Sequence, residues 1–382
     1  MMEAYLDYNA TTPVDASVLE AMRPYFTEEF ANASSIHRRG QAARHAVEFA
    51  REKIADLMAV EPGDVIFTSG GTESDNLALR GTMVSRLLER KHLVVSSIEH
   101  QAVLSTAKYL GGLGCEVTVV PVNAHGIVDL DILKKSVTEH TSLVSLMHVN
   151  NEIGTIQPIS EAAQIAHEKG AYFHVDAVQS FGKMQIHPAE AGIDLLSISA
   201  HKICGPKGSG ALYIRKGLKI KPVFYGGHQE KNIRPGTENV PAIVGFGKAA
   251  ELAQKNRTTE SKRVEGLRNR LEEGIWKKIQ GVRLNGDPKS RIYNTLNVSF
   301  EGLDGETILV NLDLKNIFVS TGSACTAGSI EPSHALLAMG LDEKMARAAV
   351  RFSLGRFTTE NEVDYVLSEL PAIVERLRKS AT

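Results

Sequence analysis

Cysteine is scarce in this chain: three residues in 382, Cys115, Cys204 and Cys325. Their number is odd and their spacing wide, so neither a disulfide framework nor CxxC metal spacing is present. Each needs its own explanation, the ordinary one being a small buried hydrophobe. Long apolar runs are missing too: none approaches the roughly 18 residues of a membrane span, and no membrane partner is expected. The first residues, MMEAYLDYNATTP, lack a positively charged start followed by an apolar core. A cytoplasmic location is therefore expected. Neither charge is in excess, since 43 Lys+Arg against 45 Asp+Glu leave a formal net charge of -2. No global field favours nucleic acid or anionic lipid, so any anion site must be local and no direct nucleic-acid partner is expected.

What the chain does have is length and an ordinary apolar content. Its 382 residues exceed one typical domain, whose size is roughly 100 to 200 residues. Hydrophobic content of 43% and charged content of 23% suit a packed, enzyme-like body. From about residue 60 to 215 the runs DVIFTS, HLVVSS, CEVTVVP, SLVSLMHV, AYFHVDA, DLLSISA and GALYIR alternate with helix-like stretches. The alternation predicts an α/β large domain with a mostly parallel, buried seven-stranded sheet. Upstream, Ile36, Ala43, Val47, Ala50, Ile54 and Leu57 recur near helical spacing and predict one long surface helix over 35–58. The segment KPVFYGGHQEKNIRPGTENVPAIVGFG breaks the rhythm. Charged helices are expected after it to about residue 280, then NTLNVSF, NIFVSTGSAC and VRFSLG. The expected division is a large domain over 16–257 and a smaller α+β domain built from 1–15 and 258–382. Residues 359–378 read as a closing amphipathic helix.

Three motifs carry chemistry. TSGGTESDN places two glycines, Gly70 and Gly71, at a strand end. Thr72, Glu73 and Ser74 then open a helix whose free N–H groups attract phosphate. A plain glycine turn with a threonine cap would read the same way. AYFHVDAVQS ends a strand in Asp176, with Gln179 shortly after. A carboxylate there lies where ligands bind in open α/β sheets, or serves as a loop cap. SISAHKICGPKG delivers Ser199, His201 and Lys202 into a Gly-Pro turn. A sheltered lysine suits a Schiff-base amine, although most lysines at strand ends are merely solvated. Among the cysteines, Cys325 sits in GSACTAGS, among small residues where a thiol can be exposed and move. Cys115 opens a strand and Cys204 follows Lys202 in a constrained turn, so both read as packing.

With these motifs in order, the chain resembles the fold-type I pyridoxal 5′-phosphate enzymes, and within them the NifS/IscS-like cysteine desulfurases of the aminotransferase class V group. The resemblance runs nearly end to end, through YLDYNATTP, SSIH, TSGGTES, SSIEHQAV, HVNNEIGTIQP, HVDAVQS, SAHKICGPKG, RPGTENVPAIVG, STGSACTAGSIEPSH and VRFSLGRFTT. It implies that Lys202 bonds the cofactor through its amine, that Asp176 pairs with the pyridine nitrogen, and that Gln179 meets the ring hydroxyl oxygen. His100 would stack on the ring and assist proton transfer. Gly71, Thr72, Ser199 and His201 would bind the phosphate, joined by Thr237 from the partner of a homodimer. Asn151 would line the cofactor and substrate pocket, Arg351 would clamp the substrate carboxylate, and Asn32 would stand on the substrate side. The family's usual G-N-P-S-S is here Ala31-Asn32-Ala33-Ser34-Ser35.

The implied reaction converts L-cysteine to L-alanine, with Cys325 taking the sulfur as a persulfide. The sulfur would pass to an acceptor protein, such as an iron–sulfur scaffold or a tRNA-thiolation enzyme. Selenocysteine lysis or another class V reaction is the nearest alternative. A non-catalytic sulfur carrier is the alternative from another class, and the presence of both Lys202 and Asp176 argues against it.

Overall fold

The computed structural model describes residues 2–86, 90–321 and 331–381. Its strands are β1 (Ala4–Tyr5), β2 (Val65–Thr68), β3 (His92–Ser96), β4 (Glu116–Val120), β5 (Thr141–Met147), β6 (Tyr172–Asp176), β7 (Leu195–Ser199), β8 (Gly210–Ile214), β9 (Val282–Asn285), β10 (Thr295–Phe300), β11 (Ile317–Phe318) and β12 (Ala349–Ser353). The expected seven-stranded sheet is present, in the order β2-β8-β7-β6-β5-β3-β4. Only β8 runs against its neighbours. Strands β3, β5, β7 and β8 are buried along their whole length. That explains their near-continuous apolar runs: helices cover both faces, so no polar face is needed. Edge strand β4 keeps only Val120 fully buried, and its exposed Glu116 suits an edge that must not pair further.

One apolar core lies on each face of this sheet. A third surrounds the antiparallel sheet β12-β10-β9 and takes in Ala4 and Leu6 from the start of the chain. The charged helices expected after residue 247 and up to about 280 are one helix, Val240–Lys278, 39 residues long. Asn239 caps it by accepting from the Ala242 amide at 3.3 Å. Its first turns pack in the large sheet's core through Val240, Phe246 and Ala250. Its last turns pack in the other core through Val264, Leu271 and Ile275.

Two other helices follow the apolar pattern with adjusted ends. The long helix begins at Arg38 rather than near residue 35, because His37 caps it through Nδ1, accepting from the Gly40 amide at 3.2 Å. Ile36 therefore lies outside the helix and is 91% exposed. The closing helix, Glu360–Ala381, starts on a reciprocal cap. The Thr359 amide donates to Glu362 Oε2 at 2.7 Å, and the Glu362 amide donates to Thr359 Oγ1 at 3.3 Å. Among the described residues, no helix is long and apolar enough to cross a membrane.

Candidate active site

A parallel sheet sends the ends of its strands, and the turns that follow them, to one edge. Here the carboxyl edge floors a cleft of about 430 Å³. The turn after β2 supplies Gly71 and Thr72, the first two residues of the helix Gly71–Arg86. The stretch after β3 supplies His100, which caps the helix Gln101–Gly112 by accepting from the Ala102 amide at 3.1 Å. Asn151 comes from the turn after β5, Asp176 ends β6, and Gln179 follows it. The turn Ala200–Lys202, directly after β7, brings in His201 and Lys202. Arg351 arrives from the other sheet, in the middle of β12, and closes the far wall.

Nine of the sequence-identified residues thus line one cleft: Gly71, Thr72, His100, Asn151, Asp176, Gln179, His201, Lys202 and Arg351. Ser199 ends β7 beneath it, 1% exposed. Two are not brought in. Asn32 turns back on its own loop, accepting from the Ser34 amide at 2.8 Å, and Thr237 is exposed on the approach to the helix Val240–Lys278. Cys325 lies outside the described residues. Cys115 and Cys204 are both buried, as packing cysteines should be.

Lys202 Nζ donates to the backbone carbonyls of Asn9 and, at 2.8 Å, Ala10. The Asn9 carbonyl also accepts from Gln179 Nε2 at 2.9 Å. Sequence reasoning missed this anchor, because a backbone carbonyl leaves no mark on residue type. It also missed Asp75, Glu99 and Glu152, which are 1%, 0% and 3% exposed. Burial raises the Asp176 carboxyl, while the charges of His100 and Lys202 and the Val178 amide pull it back. Burial and the charge of Asp176 hold Asp75 well above the usual carboxylate range. Within this buried pair the charge of Lys202 favours ionisation of Asp176 over Asp75. Burial and the charge of Lys202 push the His201 imidazole down to about 3, so it is neutral. Arg351 spends one arm of its fork on Asp7 at 2.7 Å and another on the Asn151 carbonyl at 3.0 Å. Its Nε has no partner among the described residues.

These features fit pyridoxal 5′-phosphate. A buried carboxylate can meet a protonated pyridine nitrogen, and an enclosed lysine can bond the aldehyde. Ser199 Oγ is buried without a partner among the described residues, and the helix Gly71–Arg86 opens after β2 in the same sheet, where its first N–H groups suit a phosphate. A Cβ on Gly71 would come within 2.6 Å of Val178 Cγ2, so any larger residue opening this helix would have to displace that side chain. Among the described residues, no group of three or more His, Cys, Asp or Glu side chains is placed to hold a metal ion.

The model of the aminotransferase class-V family matches residues 4–366. A cysteine desulfurase IscS of Dictyoglomus turgidum is 50% identical over 376 residues, which is 98% of this chain and 95% of that relative. A cysteine desulfurase IscS of Methanosarcina thermophila is 50% identical over 374 residues, 98% of this chain and 92% of the relative. The solved structure of a NifS-like protein aligns with a TM-score of 0.93 at 41% identity, over 98% of this chain and all of that one. A family match spanning nearly the whole sequence, on a sheet and cleft of the expected kind, leads to one conclusion: the chain belongs to the aminotransferase class-V family.

Proposed function

We propose that the protein is a pyridoxal 5′-phosphate-dependent cysteine desulfurase, converting L-cysteine to L-alanine and passing the sulfur to an acceptor. The observation that carries this reading is the placing of Lys202, buried Asp176 and Arg351 on three walls of one cleft. When bound, the cofactor supplies an electron sink for the α-carbon of an amino acid.

The rest is done by this chain's residues. The planar fork of Arg351 grips the substrate carboxylate, exchanging Asp7 for it. Lys202 takes the α-proton once its amine is free, and neutral His201 and the carbonyls of Asn9 and Ala10 leave that amine oriented. His100, fixed as a helix cap, covers the opposite side and assists proton transfer. The Cys325 thiolate attacks the substrate sulfur. The carbon–sulfur bond breaks, its electron pair stays on carbon, and a proton completes alanine while Cys325 holds a persulfide.

The protein acts as a homodimer in the cytoplasm. Thr237, exposed and away from its own chain's cleft, completes the phosphate site of the partner. The acceptor is a protein of iron–sulfur cluster assembly or of tRNA thiolation. Purified protein should be yellow, and borohydride reduction followed by peptide mapping should find pyridoxyl on Lys202. Protein treated with cysteine and alkylated should carry one extra sulfur on the Cys325 peptide. A label on another lysine, sulfur on Cys115 or Cys204, or a fully active monomer in sedimentation would each overturn its part of this reading. Faster turnover of selenocysteine than of cysteine would favour a selenocysteine lyase.

A further inference from the structure

Behind the cleft is a second cavity of about 30 Å³, lined by Lys202 and also by Lys183, Cys204, Glu260 and Arg356. Its volume suits a single water molecule. Lys183 is not on the wall of the main cleft, yet its Nζ donates to Gln179 Oε1 at 3.2 Å. An ammonium has donors only, so it can face only the oxygen end of that amide. The nitrogen end must then point away, and Gln179 Nε2 does so, donating to the Asn9 carbonyl that also receives Lys202. The side chain that decides which end of Gln179 the cleft sees is therefore one the mechanism does not use.

We propose that Lys183 is a positioning residue, which holds the Gln179 amide with Nε2 as donor to the ring hydroxyl oxygen of the cofactor and sets a positive charge behind that edge of the ring. This rests on the pyridoxal phosphate reading of the cleft. Lys183 is faced by Glu260, which favours its charge, by Arg351, which opposes it, and by the Cys204 thiol, which burial keeps neutral. Lys202, Tyr8, Arg257, Tyr293 and Arg356 are the other titratable groups on the cavity wall, and Glu260 is engaged by Arg356 Nε at 2.8 Å. Burial pushes the Lys183 ammonium down to about 8, which leaves it mostly charged at neutral pH. A cation there disfavours the protonated form of the nitrogen through which Lys202 holds the cofactor. Removing it must therefore raise the pH at which that nitrogen loses its proton.

The experiment is a pH titration of the visible band of cofactor-loaded wild-type, Lys183→Met, Lys183→Arg and Lys183→Gln proteins, with cofactor dissociation measured alongside. Lys183→Met should move the midpoint up by about one pH unit and weaken cofactor binding several-fold. Lys183→Arg should restore most of both. Lys183→Gln keeps a donor without charge, so it should bind cofactor well and still show the raised midpoint. An unmoved midpoint in Lys183→Met overturns the inference. If that variant does not fold, equal midpoints for Lys183→Arg and Lys183→Gln overturn it instead. Absence of a visible band from wild-type protein saturated with pyridoxal phosphate would overturn the cofactor reading, and the inference with it.

Discussion

The two edges of the seven-stranded sheet treat buried polar groups in opposite ways. At the amino edge, Asp194 precedes β7 with 0% exposure, and every donor it needs is present. One oxygen accepts from His167 Nε2 at 2.9 Å and the Phe173 amide at 2.8 Å, and the other from Arg215 Nε. His92, at the start of β3, has both ring nitrogens engaged by threonine hydroxyls at 2.9 Å. At the carboxyl edge, Ser199 Oγ, Asp75 Oδ1, Glu99 Oε2 and His148 Nδ1 have no hydrogen-bond partner among the described residues. Leaving such groups short costs stability. A fold that satisfies one edge and strains the other keeps the second for a ligand, and the amino edge shows that the same chain can satisfy buried charge where it has no ligand to bind.

The largest effect expected from this contrast is on turnover. Lys202→Ala should lower cysteine-dependent alanine formation by about a thousandfold or more, removing both the cofactor bond and the main base. Cys325→Ala should collapse turnover to a similar degree while the yellow colour and its change on adding cysteine persist. Residues acting in series on one reaction are not additive, so the double variant should be little worse than Lys202→Ala. Alanine production by Cys325→Ala at the wild-type rate would end the persulfide assignment.

Next comes a pH dependence of stability. Burial raises Glu99 from 4.5 to about 8, with Ser96 Oγ and the Met147 amide opposing through Oε1. A carboxyl whose folded value lies above its unfolded one stabilises fully below the unfolded value. That contribution is lost as pH rises through the folded one. His148 and His174, pushed by burial from 6.5 down to about 4 and about 3, act on the acid side instead. Their contribution is lost as pH falls below 6.5. Between pH 6.5 and 8 the wild-type protein should therefore lose stability as pH rises. Glu99→Gln should flatten that slope by about 1 kcal/mol per pH unit. Urea midpoints at fixed protein concentration decide it, and parallel slopes for the two proteins would show that Glu99 is already ionised.

The amino-acid pattern carries these two edges unequally. All seven large-sheet strands are legible, because buried parallel strands are continuous apolar runs between helices. Asp176 is legible because it ends such a run, and Gln179 and Lys202 because each follows one by a few residues. Asp75 and Glu99 are not, since a carboxyl within a helix or a turn looks solvated until the opposite face is known. The start of the helix Val240–Lys278 was readable from Asn239 with Pro241 beside it, yet the glycine- and charge-rich surroundings read as loop. Lys183 shows no local sign of its role, which depends on which end of a neighbouring amide it faces.

The smallest effect on turnover belongs to the satisfied edge and tests whether its order is structural alone. In Asp194→Asn one of the two side-chain ends becomes a donor and must face a donor. If the oxygen stays toward the Phe173 amide and His167, the new NH₂ meets Arg215, whose side chain is 51% exposed and can turn to water. The opposite flip would leave the buried Phe173 amide facing a donor, so the first arrangement wins. What is lost is then one charge pair, and the expected cost is about 1 to 2 kcal/mol. Asp194→Ala removes the acceptor of the buried Phe173 amide as well and should cost about 3 kcal/mol. Both variants should keep the yellow colour and wild-type alanine production below their melting range, because Asp194 lies at the end of the sheet opposite Lys202. A cofactor lost from folded Asp194→Asn protein would mean that the two edges are coupled through the strands, and that the amino edge is not the inert foundation its complete hydrogen bonding implies.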